Sequence, residues 1–125
     1  MIVLCIDDDP DDTDFFCEAL RTVSPDSQCL VANDGLTALK TLRTDCLPDI
    51  IFLDINMPRM DGFGFLNELE SIPDPAIKKC SVAMLISSHY PDDKVKAMRS
   101  PFVKYFFNKP LTDEILREIN IQDRK

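Results

Sequence analysis

Short runs of apolar residues recur along the chain, and each one stops abruptly at polar residues. The five runs are 2–6 (IVLCI), 29–32 (CLVA), 50–53 (IIFL), 82–86 (VAMLI) and 102–107 (FVKYFF). A short apolar run without alternation suits a strand that is buried on both faces of a parallel sheet, because neither face meets water. The pattern therefore predicts five strands of a largely buried sheet.

Between these runs, apolar residues recur every three or four positions, which is the spacing of one face of a helix. The first helix is predicted to start near Pro10, with Asp8 or Asp9 as its cap. Four more helices are predicted: one that ends near Arg43, one that follows Gly62, one that ends at Met98 and one that begins near Thr112. The predicted inward-facing positions include Phe15, Phe16, Ala19, Leu20 and Val23 in the first helix, and Leu36, Ala38, Leu39 and Leu42 in the second.

Strand and helix thus alternate five times within 125 residues. Parallel neighbours need a crossover, usually a right-handed helical one, so the alternation predicts a parallel sheet with helices on both faces. The fold class expected is α/β: a flavodoxin-like, doubly wound sheet of five parallel strands in the order 2-1-3-4-5, flanked by five helices. The length suits one domain with its own core.

Composition and charge narrow the possible classes of protein. The chain has no apolar run near the ~20 residues that span a bilayer, and its N-terminus lacks the basic start of a signal peptide. Its five cysteines include no C-x-x-C pair, so reduced thiols in a cytoplasmic protein are expected rather than zinc or disulfides. The net charge of −8 argues against direct nucleic-acid binding, which requires clustered basic residues.

Polar residues that could take part in binding or catalysis follow four of the predicted strands. Asp7 and Asp8 follow the first, Asp54 the third, Ser87 the fourth and Lys109 the fifth. In open α/β sheets ligands bind outside the carboxyl ends of the strands, so these side chains are expected to gather along one edge. Each aspartate taken alone could merely cap a helix or start a loop; the combination of all five indicates a site.

Clustered carboxylates need a cation, because two unit charges ~5 Å apart repel by roughly 3 kcal/mol at an effective dielectric near 20. Oxygen ligands without His or Cys indicate Mg²⁺ or Mn²⁺. Lys109 could bind a phosphoryl group, and Ser87 could donate a hydrogen bond to the same oxygens. This set of groups suits in-line phosphoryl transfer to Asp54 as a carboxylate nucleophile.

Four motifs resemble those of the receiver domain of two-component response regulators. They are IVLCIDDDP, LDINMPRMDG, VAMLISS and FFNKP, and the resemblance that they carry extends over essentially the whole chain. The resemblance implies that Asp54 is the phosphoacceptor and that Asp7 and Asp8 serve the metal. It also implies that Ser87 is the switch hydroxyl and Lys109 the phosphate-binding lysine.

The same resemblance assigns three further positions. Asn56 matches the residue whose backbone carbonyl completes the metal site, and Phe106 matches the aromatic switch position, where tyrosine is common. Asn56 and His89 each lie two residues beyond a site residue, at positions that in this family tune hydrolysis of the phosphoryl group. Serine at position 87 replaces the more frequent threonine, which keeps the hydroxyl but loses a methyl group.

The resemblance further implies a phosphoryl donor, either a sensor histidine kinase or a phosphotransfer protein. We expect a stand-alone receiver domain over residues 1–125, cytoplasmic, monomeric or homodimeric, without direct nucleic-acid or membrane contact. Its downstream protein target is not specified by the sequence. Such a domain is a regulator rather than an enzyme, and only its own phosphorylation and dephosphorylation are expected.

Two other functions are compatible with the predicted fold. A Mg²⁺-dependent phosphohydrolase, as in haloacid-dehalogenase-like phosphatases, would use Asp54 as nucleophile and a second aspartate two residues later as general acid. This chain has Asn56 there and no cap domain that could enclose a substrate. A non-phosphorylated interaction module is the third possibility, and it requires that Asp54 cannot be modified.

Overall fold

The computed structural model describes residues 2–44, 47–55, 57, 60–86, 91–108 and 112–118 of the chain. Its strands are β1 (Ile2–Ile6), β2 (Gln28–Ala32), β3 (Ile50–Asp54), β4 (Ser81–Ile86) and β5 (Val103–Asn108). Its α-helices are α1 (Pro10–Val23), α2 (Gly35–Thr44), α3 (Gly62–Ser71), α4 (Pro91–Met98) and α5 (Asp113–Glu118). Strand and helix alternate throughout, as the apolar pattern predicts.

The strands form one parallel sheet in the order β2-β1-β3-β4-β5. This confirms the predicted doubly wound, flavodoxin-like topology. Of the three central strands, β3 and β4 are buried along their whole length, and β1 is buried except at its first residue. This burial on both faces accounts for their unbroken apolar runs. The direction of winding reverses between β1 and β3, so the switch point of the sheet lies where these two strands pair.

Each face of the sheet is covered by its own apolar core. One core joins the sheet to α2, α3 and α4 and includes Ala38, Leu39, Leu42, Phe65, Leu66, Leu69 and Ala97. The other joins the sheet to α1 and α5 and includes Phe16, Ala19, Leu20 and Leu116. Within the second core the rings of Phe16 and Phe52 lie 4.8 Å apart, which fixes α1 against β3. The two layers of helices therefore hold the central strands rigidly from both sides.

Two predicted inward positions are wrong. Leu36 is 44% exposed and Phe15 is 48% exposed. Ala38, Leu39 and Leu42 already fill the face that α2 turns to the sheet, so Leu36 in the first turn is left to line an open cavity of about 490 Å³ beside Met60. Phe15 similarly lies outside the buried stripe of α1, because Phe16 occupies the position facing β3.

A short 3₁₀ helix at Pro75–Lys79, just before β4, was not predicted from the sequence. It begins where α3 was expected to end in a turn, and Asp74 caps it by accepting a hydrogen bond from the Ala76 backbone N–H at 2.9 Å. The last predicted apolar position of α5, Ile119, lies outside the described residues.

In the described ranges Cys5, Cys17, Cys29 and Cys80 are free thiols, and Cys46 lies outside those ranges. Within the described part of the chain, each helix is too short or too polar to cross a bilayer.

Candidate functional site

The pairing of β1 with β3 places two of the predicted aspartates side by side. Ile6 is opposite Leu53 in the parallel register, so Asp7 and Asp54 are the next pair along the two strands. Side chains alternate across a strand, and Phe52 belongs to the core on the α1 and α5 side of the sheet. Asp54 therefore follows on that same side, at the carboxyl end of β3, as predicted.

Asp7, Asp8 and Asp54 form one acidic cluster. One carboxylate oxygen from each lies within 4.8 Å of the other two. Asp7 is 2% exposed and Asp54 is 4% exposed, whereas Asp8 is open to solvent. The cluster thus has two buried carboxylates and one that faces solvent, and it is called the acidic pocket below. The structure brings together these three predicted site residues.

Hydrogen bonds in the loop between β1 and α1 hold Asp7 in place. The backbone N–H of Asp7 donates to the Ala32 carbonyl of β2 at 3.1 Å. The Asp7 carboxylate in turn accepts a hydrogen bond from the backbone N–H of Asp9 at 3.0 Å. Asp9 caps α1 by accepting from the Asp11 N–H at 2.9 Å, which decides between the two predicted capping residues. Helix α1 therefore starts directly behind the pocket, and the turn at Asp7–Asp9 is held at both ends.

The segment after Asp54 is held by a close backbone approach that sequence reasoning missed. The Gly62 N–H donates to the Ile55 carbonyl at 2.8 Å. A Cβ atom at Gly62 would lie 2.8 Å from the Asp54 carbonyl oxygen and 2.9 Å from the Ile55 Cα. Only glycine allows α3 to begin so near to β3. The Asp-Gly pair in the sequence signals a turn, but the packing reason becomes visible only when β3 and α3 are placed together.

Four other predicted site residues, Asn56, Ser87, His89 and Lys109, lie outside the described residues. The strands that lead to two of them are described: β4 and β5 pair up to Ile86 opposite Asn108. Ser87 and Lys109 are the next residues in the sequence after this last pair. Their predicted roles, and those of Asn56 and His89, stay predictions.

Phe106, the predicted aromatic switch residue, lies on β5 opposite Met84. Its side chain is half-buried against the core that α2, α3 and α4 share. Tyr105 and Phe107 point to the other core, where their rings stack with centroids 6.0 Å apart. Phe106 is therefore the aromatic residue of β5 that contacts the α4 side of the sheet.

The chemistry of the pocket follows from its charge and its oxygen atoms. Two ionised carboxylates about 5 Å apart repel each other by roughly 3 kcal/mol at an effective dielectric near 20. Carboxylate oxygens are the ligands that Mg²⁺ and Mn²⁺ prefer, and these ions readily accept phosphate oxygens as well. Asp7, Asp8 and Asp54 are close enough to share one such ion, so the donor set fits a divalent metal.

Comparison with known proteins agrees with this arrangement. Residues 3–120 match the response regulator receiver domain family. The response regulator Rcp1 of Synechocystis sp. is 31% identical over 100 residues, which cover 75% of this chain and 67% of Rcp1. A two-component response regulator from Cytophaga hutchinsonii has a solved structure that matches 97% of this chain and 94% of its own, with a TM-score of 0.80 and 31% identity. The Mn²⁺-bound form of Rcp1 matches 97% of this chain and 88% of its own, with a TM-score of 0.76 and 27% identity.

The five-stranded α/β sheet, the acidic pocket at its switch point and the similarity to these relatives together identify a phosphorylation-dependent signalling domain. The chain belongs to the response regulator receiver domain family of two-component systems. Neither alternative function, phosphohydrolase or unmodified interaction module, is favoured by any of these similarities.

Some relatives are much longer proteins. Sensor histidine kinase CheAY of Helicobacter pylori is 30% identical over 119 residues, but the chain spans only 14% of its length. Receiver domains are phosphorylated by histidine kinases, and the name of this relative describes it as a sensor histidine kinase. The similarity concerns the receiver domain alone and does not extend to the other activities of such proteins.

Proposed function

We propose that Asp54 accepts a phosphoryl group from a sensor histidine kinase or a phosphotransfer protein, and that the whole chain, 1–125, acts as one receiver domain. The observation that supports this most directly is the cluster of Asp7, Asp8 and Asp54 within 4.8 Å at the switch point of the sheet. Family membership independently supports the same reaction class. The domain would be a regulator, whose only chemistry is its own phosphorylation and dephosphorylation.

A divalent ion, Mg²⁺ or Mn²⁺, is the cofactor that this pocket fits. Asp7, Asp8 and Asp54 would hold it with carboxylate oxygens, and Asn56 would add its backbone carbonyl. Bound there, the ion would neutralise charge on the transferring group. The oxygen-only donor set and the Mn²⁺-bound form of Rcp1 support this assignment.

The other steps of phosphoryl transfer would be carried out by side chains of the protein. A carboxylate oxygen of Asp54 attacks phosphorus in line, a phosphorus–oxygen bond forms, and the phosphorus–nitrogen bond to the donor histidine breaks. Lys109 would pair with phosphoryl oxygens as a cation, and the Ser87 hydroxyl would donate a hydrogen bond to them. Gly62 keeps the Asp54 backbone fixed during the reaction, because α3 packs directly on it.

The phosphorylated state would act through a change in protein binding. Ser87 and Phe106 are the proposed switch residues, and Phe106 would pass the change to the α4 side of the sheet, which it already contacts. Asn56 and His89 would tune the lifetime of the phosphoryl group by controlling access of water. The domain would work in the cytoplasm, as a monomer or homodimer, without contacting nucleic acid or membrane directly.

The deciding experiment is to incubate the purified chain with Mg²⁺ and acetyl phosphate or phosphoramidate and to measure its intact mass. We expect a labile increment of ~80 Da, as an acyl phosphate on a carboxylate requires. Asp54→Asn should abolish the increment. Asp14→Asn is the matched control, because it removes one carboxylate from an exposed position of α1, and it should be phosphorylated normally.

Equal labelling of the wild type and of folded Asp54→Asn would contradict the proposal. Steady release of phosphate from many small esters, without a stable adduct, would support the phosphohydrolase instead. Circular dichroism of each variant separates loss of the acceptor from loss of the fold.

A further inference from the structure

Two thiols from different elements touch on the side of the sheet that α1 covers. The Sγ atoms of Cys17 in α1 and Cys29 in β2 lie 3.0 Å apart. Both side chains are half-buried at the margin of the core that α1 shares with the sheet. Neither belongs to the acidic pocket, and the phosphoryl chemistry proposed above does not use them.

The contact is set by the surrounding packing rather than by flexible chain ends. Cys29 is opposite Val3 in the register of β2 with β1, and Val3 is completely buried. Cys17 follows Phe16, whose ring packs on β3 at 4.8 Å. Because a disulfide has an S–S distance near 2.05 Å, bond formation requires the two sulfur atoms to approach by only about 1 Å.

We propose that Cys17 and Cys29 are a redox-responsive pair, which a peroxide oxidises to an intramolecular disulfide that joins α1 to β2. In a reducing compartment both remain thiols, and the bond forms only when oxidant is present. The pair thus adds a modification site to the domain.

The reaction balances with hydrogen peroxide as the oxidant. The peroxide O–O bond breaks as one sulfur takes an oxygen atom to become a sulfenic acid, and one water leaves. The second sulfur then attacks the sulfenic sulfur, the S–S bond forms and a second water leaves. The two thiols together lose two electrons and two protons, and one peroxide becomes two waters.

The environment of the two thiols determines which of them reacts first with peroxide. Burial raises the pKa of the Cys29 thiol to about 12, and its hydrogen bond with Cys17 adds to the shift. Thiolate is the reactive form, so a thiol held protonated is a poor first target for peroxide. Cys17 is therefore oxidised first and Cys29 resolves it.

The experiment is to treat the full chain with hydrogen peroxide and to map the products under non-reducing conditions. We expect a mass loss of about 2 Da, because two hydrogen atoms leave, and recovery of the original mass with dithiothreitol. Trypsin cleaves after Arg21, so the disulfide should join peptide 1–21 to peptide 22–40, and fragmentation should place it at Cys17 rather than Cys5. The oxidised chain should melt ~5–10 °C higher, since the bond restrains the unfolded chain.

Cys17→Ser and Cys29→Ser should each abolish the 2 Da loss, while Cys80→Ala should retain it because Cys80 lies in the other core. Sulfinic acid at Cys17 without a disulfide, a disulfide between two chains, or a bond from Cys5 would each overturn the proposal. The peptide map of the wild type decides the matter even if a serine variant fails to fold. None of these measurements requires phosphorylation, so the outcome is independent of the function proposed above.

Discussion

The Cys80 thiol shows how one buried side chain links stability to pH. It donates a hydrogen bond to the Pro48 carbonyl at 3.1 Å and is 2% exposed. Burial raises its pKa from 9.0 to about 11, and the negative charge of Asp49 adds to the shift. Burial therefore disfavours the thiolate in the folded state, whereas the unfolded chain ionises this thiol freely.

The free energy of unfolding should consequently fall as pH rises from 9 to 11. Over this range the unfolded chain releases the Cys80 proton and the folded chain keeps it, which favours unfolding by about 1 kcal/mol at pH 10. Urea unfolding at pH 8 and pH 10 measures the effect. Cys80→Ala should begin less stable but lose less stability between the two pH values; an equal loss in both proteins would show that Cys80 does not contribute.

At the residue scale, the position of a site residue can be predicted from the sequence when that residue directly follows a strand. Asp7 and Asp54 could be paired from two apolar runs, because parallel strands bring their carboxyl ends to one edge. The Cys17–Cys29 contact could not be predicted in this way. It depends on how α1 lies on the edge strand, and spacing along the chain carries no record of that packing.

At the scale of elements, the contact between α3 and β3 near the pocket is so close that it leaves no room for a side chain at Gly62. Gly62→Ala would force a methyl group against the backbone of Asp54 and Ile55. We expect a loss of about 1–3 kcal/mol in the free energy of unfolding, as for other overpacked sites, together with slower phosphorylation of Asp54. Urea unfolding and the acetyl phosphate assay measure the two effects.

Gly64→Ala is the matched control from the same helix. Its new Cβ would meet the Met60 Cγ at 3.1 Å, and that side chain is flexible enough to move. Alanine also favours a helix over glycine by about 1 kcal/mol, so Gly64→Ala should be neutral or stabilising. A similar loss from both substitutions would contradict the role assigned to Gly62.

Helix and strand identity could be predicted because their apolar periods differ, but the rotation of each helix could not be predicted fully. Leu36 fits the apolar spacing of α2 and is still 44% exposed, since the other leucines of that helix already fill the available face. The 3₁₀ helix at Pro75–Lys79 was missed because five residues are too few to show a period. Its Asp-Pro start was visible only as a turn.

At the scale of the whole molecule, the acidic pocket should couple metal binding to global stability. The chain carries a net charge of −8, and three of its carboxylates share one small site. MgCl₂ or MnCl₂ at a hundred times its dissociation constant should raise the free energy of unfolding by about 3 kcal/mol, because the ion binds only the folded chain. Thermal melting with and without metal measures this.

Asp8→Asn should reduce the metal-induced stabilisation, and Asp14→Asn should leave it intact. NaCl at matched ionic strength controls for general screening of the negative charge. Stabilisation of equal size by NaCl, or a full response in Asp8→Asn, would contradict a metal site at the cluster.

The topology could be predicted because five alternating elements leave few ways to wind a parallel sheet. The chemistry around the pocket could be predicted only in part. Carboxylates at strand ends are visible in the sequence, but the distances that make them one site depend on the register of β1 with β3.

That register has a consequence for the life of the protein in the cell. The Ile2 N–H donates to the side chain of Asp49, 47 positions away. Asp7 and Asp54, which share the acidic pocket, are separated by the same number of positions. A ribosome must therefore release most of the first half of the chain before β1 and β3 can meet. Nascent or misfolded copies in which β1 and β3 are not paired have no assembled pocket, so a metal site at this cluster exists only in folded molecules.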